Sequence, residues 1–364
     1  MTEGRQETIV AAEAAPPATV PGSEWAEPGH ESSAPSVARR YRLVVLAGGA
    51  GLFAYLLHAI GPTAVIASFR VLSWRLVLVI VFPTVVLKAC DALGWRCALP
   101  HQQVSLWRLA TVLVAGQAVA STTSTGAFGE DAVKAWLLRD EVSGRDTVSS
   151  LIIVETTSNV SKGLLLLIGI LIARQTLPSS GPLLRIMEWL LVLEILAVAG
   201  FIVVQLHGIA ARGHGVLRRL GLAAGSQAGA AAVDVDRALV TFYRCEPRRL
   251  ALSVAWSFLG WLSAALEIWL ILYLLKTPVS AGVALVIEAF GTGISFATFF
   301  LPVEIGIDEG GAVATFLALH MSGATGMSLS LVRRVREMSW IALGLLILAG
   351  RPRPTAVAIR EREH

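Results

Sequence analysis

Long apolar runs separated by short polar breaks set the rhythm of this chain. They fall near residues 43–60, 76–98, 107–125, 147–173, 187–206, 250–275, 279–300, 312–320 and 329–349. The longer ones approach the roughly 20 residues that a helix needs to cross a bilayer's hydrocarbon core. The pattern predicts an all-α fold, a polytopic transmembrane helix bundle. Residues 62–75 suit a short interfacial helix, with Val65, Phe69 and Leu72 on one face.

Two breaks are poor material for ordinary loops. The stretch from Leu301 to Gly311 holds Pro302, three glycines (Gly306, Gly310, Gly311) and three carboxylates (Glu304, Asp308, Glu309) between apolar runs. Irregular, charged backbone at membrane depth is tolerated only where protein or a watery cavity surrounds it. A broken, re-entrant hairpin is therefore expected there, its glycines letting backbone N–H groups converge on an anion. The run 107–125 likewise thins into Ser121–Gly126, followed by a segment with Gly129, Glu130, Asp131 and Lys134. Glu130 and Lys134 pair at i, i+4, while Val133, Trp136 and Leu137 form an apolar face. This reads as a glycine-broken half-helix.

Composition agrees with the pattern. Of 364 residues 55% are apolar and 15% charged, with a mean hydropathy of +0.67. A soluble domain would carry about 25% charged residues. The basic residues are 26 arginines and 4 lysines, an excess that marks cytoplasmic loops and anionic headgroups. No basic helix is interleaved with exposed aromatics, so nucleic acid is not an expected partner. Residues 1–38, rich in Ala, Pro, Ser and Glu, read as a disordered tail without a cleavable signal peptide. Residues 39–350 form the membrane domain, and 351–364 a cytoplasmic tail.

Charge also fixes sidedness. Arg39, Arg40 and Arg42 place the N-terminus inside, and seven arginines against three acids make the segment 207–249 cytoplasmic. Within it Val235, Ala238, Leu239 and Phe242 follow helical spacing, as in a surface helix. An even number of crossings must separate two cytoplasmic segments, yet five apolar runs lie between them. One run must enter and return, and the one leading to Gly126 is broken for it. The same parity singles out 279–325, entering from the other face. About six full spans plus two re-entrant elements result, a plan that suggests an inverted-topology repeat.

Several charges lie inside the predicted spans. Lys88 and Asp91 are helical neighbours and can neutralise each other. Glu155, Asn159 and Lys162 share one face, suited to a polar pathway or to a helix contact. Glu194, Glu267 and Glu288 are isolated along the sequence and need partners or a proton. Arg333, Arg334 and Arg336 sit at a helix start, where they either snorkel to headgroups or bind Glu309 or a lipid phosphate. Cys90, Cys97 and Cys245 suit apolar packing, and His58 and His320 read as packed. The phosphate-binding loop, zinc-protease and nucleophile-elbow motifs are missing. No cofactor and no metal site is expected.

The arrangement of these motifs resembles the flippase-like membrane domain of the lysylphosphatidylglycerol synthase family over roughly residues 43–350. That family is similar in a broken helix with G-[GE]-[DE] and a base, an acidic span, and a later P-x-x-x-G-x-x-E. Here these fall on Gly129, Glu130 or Asp131 with Lys134, then Glu155, then Pro302, Gly306 and Glu309. Glu309-Gly-Gly311 with Leu329–Arg336 looks closest to the hopanoid-associated branch. Ser and Thr replace the proline that often precedes the first glycine motif. The Glu130-Asp131 doublet leaves the register of Lys134 open. The chain stops about 14 residues past its last span, without the family's soluble aminoacyltransferase domain. The resemblance implies lipid translocation or trafficking in the inner or plasma membrane, for an anionic, polyprenyl-linked or hopanoid-type lipid. Its alternatives are a membrane-embedded transferase and an accessory subunit that organises lipid-biosynthesis enzymes. In the translocation reading, Lys134 and an arginine of 333–336 hold an anionic headgroup, while Glu130, Asp131 and Glu309 shape the groove or titrate for coupling.

Overall fold

The architecture is that of a computed structural model, which describes residues 75–99, 104–122, 126–176, 181–206, 226–297 and 307–350. All belong to one compact unit, Arg42–His364. The predicted tails, the first span at 43–60, the interfacial helix at 62–75 up to its last residue, Glu304, Pro302 and Gly306 lie outside the described residues. The remaining spans appear as helices: α1 (Arg75–Ala98), α2 (Leu106–Thr122), α3 (Gly126–Leu138), α4 (Gly144–Thr176), α5 (Pro182–Leu206), α6 (Ser226–Cys245), α7 (Pro247–Leu274), α8 (Ala281–Ala297), α9 (Ile307–Ala318) and α10 (Gly323–Ala349).

Four of them, within α1, α4, α5 and α7, are long and apolar enough to cross a bilayer. With α10, whose length suffices but whose middle is charged, they make a polytopic helical membrane bundle. Its outward face is greasy, as lipid contact requires: Trp189, Val192, Ile195, Leu196 and Val203 of α5 all point out.

The two broken elements are hairpins. At 1.5 Å per residue α2 is about 26 Å long and α3 about 20 Å, both short of a 30 Å core. The start of α2 and the end of α3 are clamped together. Arg108 donates through Nε to Glu141 Oε1 at 2.6 Å and through Nη2 to the Leu137 carbonyl at 2.7 Å. Exposed Trp107 and Trp136 flank this mouth, with Arg139 5.1 Å over the Trp136 ring, the aromatic and basic mix of a membrane interface. The second hairpin, α8 and α9, has nearly the same arm lengths.

Helix pairing relates the two halves. The first arm of each hairpin packs on the long helix after the other hairpin, α2 on α10 and α8 on α4, while α1 packs on α7. Exchanging α1–α4 with α7–α10 maps this pattern onto itself. The equivalent helices α1 and α7 run antiparallel. A Cβ at Gly94 would meet the Ser253 carbonyl at 3.5 Å, and one at Gly260 would meet Leu87 and Cys90. Arg249, at the start of α7, donates to the carbonyls of Cys97 in the last turn of α1 and of Leu99 just beyond it. The halves are therefore upside down relative to each other, and the hairpins enter from opposite faces.

Small residues make these contacts close, as helix association without a hydrophobic driving force requires. A Cβ on Gly169 of α4 would fall 2.5 Å from that of Ala289 on α8. One on Gly344 of α10 would fall 2.5 Å from that of Ala118 on α2. Where α1, α4 and α7 meet, Thr157 and Ser253 hydroxyls share a hydrogen bond at 3.1 Å, and Ser253 and Ser161 donate to the carbonyls of Gly94 and Val254.

Helix α6 is the predicted surface helix. Leu239 and Phe242 are buried, and Val235 packs beside them. Tyr243 ties it down, donating to Gln205 Oε1 at 2.6 Å within a triangle completed by Thr156; burial pushes its phenol up from the usual range. Two expectations fail. Cys245 is exposed at the end of α6 rather than packed. His320 is likewise exposed, in the turn that follows α9, where its backbone is left-handed with φ 58°.

Candidate functional site

Charged side chains gather in two groups, one for each hairpin. In the first, Gly116 of α2 leaves room for the stems of Lys134 and Glu130: a Cβ there would meet their Cγ atoms at 3.0 and 3.2 Å. Lys134 Nζ lies 2.8 Å from Glu130 Oε1 and 3.4 Å from Asp131 Oδ1. It thus pairs with both acids, and the ambiguity of the doublet is resolved by sharing. Asp91 of α1, itself 3.5 Å from Lys88, is within electrostatic reach of Lys134 and Glu130. Gly129, in the first turn of α3, is partly buried beside them.

The predicted polar face of α4 is a hydrogen-bonded line. Asn159 donates to Glu155 Oε1 at 3.1 Å, and Lys162 donates to Asn159 Oδ1 at 3.1 Å. Lys162 also lies 5.2 Å over the Trp261 ring, a favourable seat for a cation. Glu155 acts on Asp131, so this line adjoins the first hairpin.

The second group is denser. Arg333, Arg334 and Arg336 are not at a helix start. Since α10 begins at Gly323, Arg333 lies ten residues, about 15 Å, inside it. They do not snorkel; each finds a carboxylate on a different element. Arg333 Nη2 lies 2.6 Å from Glu288 Oε2 of α8 and 3.7 Å from Glu267 Oε2 of α7. Arg336 binds that same Glu267 oxygen. Arg334 reaches Glu309 Oε1 of α9 at 3.0 Å and Glu337 at 3.3 Å. Glu267 is 0% and Glu309 1% exposed. Carboxylates so buried require exactly such partners. Gly310 follows Glu309 in the first turns of α9, and Gly311 lets that turn approach Ile294 of α8.

The groups are linked through α7. A Cβ on Gly260 would meet Asp91 Oδ1 at 3.8 Å. Glu267 is seven residues further on, two turns or about 10 Å along the axis. Polar side chains therefore line much of the bundle's depth, with three arginines facing four carboxylates at one end. Among the described residues no group of three or more His, Cys, Asp or Glu could hold a metal ion.

Of the predicted site residues, the structure brings together Gly129, Glu130, Asp131 and Lys134, with Glu155 and Lys162 beside them, and separately Glu309, Gly310 and the three arginines. Glu267, Glu288, Glu337, Asp91 and Gly116 are additions. Glu267 and Glu288 carried a signal, a carboxylate in an apolar run. Their partners lie 69 and 45 residues away, and no spacing rule connects them.

The family model for the lysylphosphatidylglycerol synthase TM region matches residues 41–346. The match covers most of the chain, which therefore belongs to that family, a set of membrane domains linked to lipid handling. No curated protein matches the chain, and no solved structure does.

Proposed function

We propose that this chain, as a member of that family, carries a lipid headgroup across the bilayer interior. The protein would reside in the inner or plasma membrane with both termini cytoplasmic. The observation that carries the reading is the linked pair of charge groups, one per hairpin, entering from opposite faces and separated by two turns of α7. A headgroup crossing hydrocarbon unaided loses its hydration, which costs several kcal/mol for each unsatisfied polar group. A line of mutually neutralising charges, several of them buried, offers substitute partners at successive depths while the acyl tails stay in lipid.

Lys134 and the arginines are the groups suited to an anionic headgroup. Each is held by carboxylates, so a phosphate would bind by taking a carboxylate's place. Arg334 can then exchange Glu309 for a phosphate without being left alone, because Glu337 stays at 3.3 Å. Glu130, Asp131 and Glu309 would shape the groove. Anionic, polyprenyl-linked and hopanoid-type lipids all fit this scheme. Leaflet-resolved lipid analysis of cells with and without the gene tests it. One lipid class should accumulate in the leaflet where it is made, and unchanged asymmetry of every class would contradict the reading.

A further inference from the structure

One buried carboxylate takes no part in either charge group. Glu194 stands near the middle of α5, an apolar helix that mostly faces lipid, and is 2% exposed. Its Oε1 has no hydrogen-bond partner among the described residues. Gly163 of α4 makes the space it fills: a Cβ there would meet Glu194 Cδ at 3.6 Å. An ionised carboxylate with an unsatisfied oxygen in this setting is among the costliest groups a fold can hold, whereas the neutral acid is cheap.

The charge facing it is Lys162, and that lysine stops short of a direct ion pair. Its ammonium is held instead by Asn159, with Trp261 beneath it. Helices α6, α8 and α9 also touch α5, yet no charged group of theirs among the described residues acts on Glu194. Lys162 therefore has two alternative anions. One is Glu155, reached through Asn159 and open at the outer end of the line. The other is Glu194, closed within the bundle.

We propose that Glu194 is a proton-binding site of the transport cycle, loaded and emptied as Lys162 moves between Glu155–Asn159 and Glu194. With the proton on Glu194, no bare charge is buried there and Lys162 keeps its bond to Asn159. When the proton leaves, the new carboxylate draws the ammonium away from Asn159 and frees Glu155 near Asp131 and the first hairpin. Proton movement is thereby coupled to the charge balance where a headgroup would bind. The coupling rests on the lipid-translocation reading; the proton site itself does not.

Two measurements on the full chain in vesicles separate them. Infrared difference spectra between acid and alkaline buffer should show a protonated-carboxyl band in the wild type. It should be lost in Glu194→Gln and shifted in Glu194→Asp, which keeps an acid if Gln fails to fold. A band unchanged in both variants, or none in the wild type, overturns the site. Transfer of a fluorescent lipid under a pH gradient should accelerate severalfold in the wild type and lose that response in Glu194→Gln. A titrating band in a protein that moves no lipid would remove the lipid reading and leave the proton site standing. Lipid transfer by Glu194→Gln with an intact gradient response would overturn the coupling and leave the lipid reading standing.

Discussion

The pair Arg334–Glu309 shows how single residues carry this fold. Glu309 is buried and Arg334 partly so, on helices that meet at the second hairpin. Removing one partner of a buried pair leaves an uncompensated charge and costs about 3–5 kcal/mol, whereas replacing both is far milder. Glu309→Gln and Arg334→Gln should each lower the unfolding midpoint in detergent markedly, and the double variant should recover most of the loss. A double variant as unstable as the sum of the singles would show that the two do not act as a pair. Local pairs were legible in the sequence, because helical spacing places Lys134 on Glu130 and Lys88 beside Asp91. Arg334 on Glu309 was legible as one option among two. The contacts of Glu267 and Glu288 were not, since they depend on how three helices, α7, α8 and α10, assemble.

At the scale of helices, glycine sets the distances. Gly344 lies against the Val114 carbonyl and Ala118, and Gly169 against Ala289. An added methyl at Gly344 meets backbone 2.5 Å away, which cannot rotate aside, so the helices must separate. Gly344→Ala should cost about 1–3 kcal/mol, the usual range for overpacking. Gly200→Ala, with open space around it, should cost nothing measurable in the same unfolding assay. Equal effects would refute the close-packing account. Trp340 makes a second such contact, donating to the Ile80 carbonyl at 2.8 Å in the turn that Pro83 loosens in α1. Trp340→Phe removes that donor and should lower stability by about 1–3 kcal/mol, read as a lower unfolding midpoint. Helix boundaries were legible to within a few residues, except that α10 begins six residues before the predicted 329. Its first turns, around Gly323 to Ser328, are small and weakly apolar, and they become helical because Gly326 and Met327 pack against α9 and the core.

For the whole molecule, the inverted relation of the halves followed in outline from counting arginines across loops, because charge decides which loops stay inside. The antiparallel packing of α1 on α7 gives that relation a physical basis. Labelling of single cysteines tests it: Ser143→Cys at the first hairpin's mouth and Ser322→Cys at the second's should react from opposite faces. Reaction of both from one face would break the inverted plan. The most direct test of lipid passage uses purified protein in vesicles carrying a fluorescent lipid quenchable from outside. Wild-type protein should expose lipid from the inner leaflet, and Glu309→Gln with Arg334→Gln, folded but stripped of that pair, should slow exposure at least tenfold. Equal exposure by the double variant and the wild type would contradict the account.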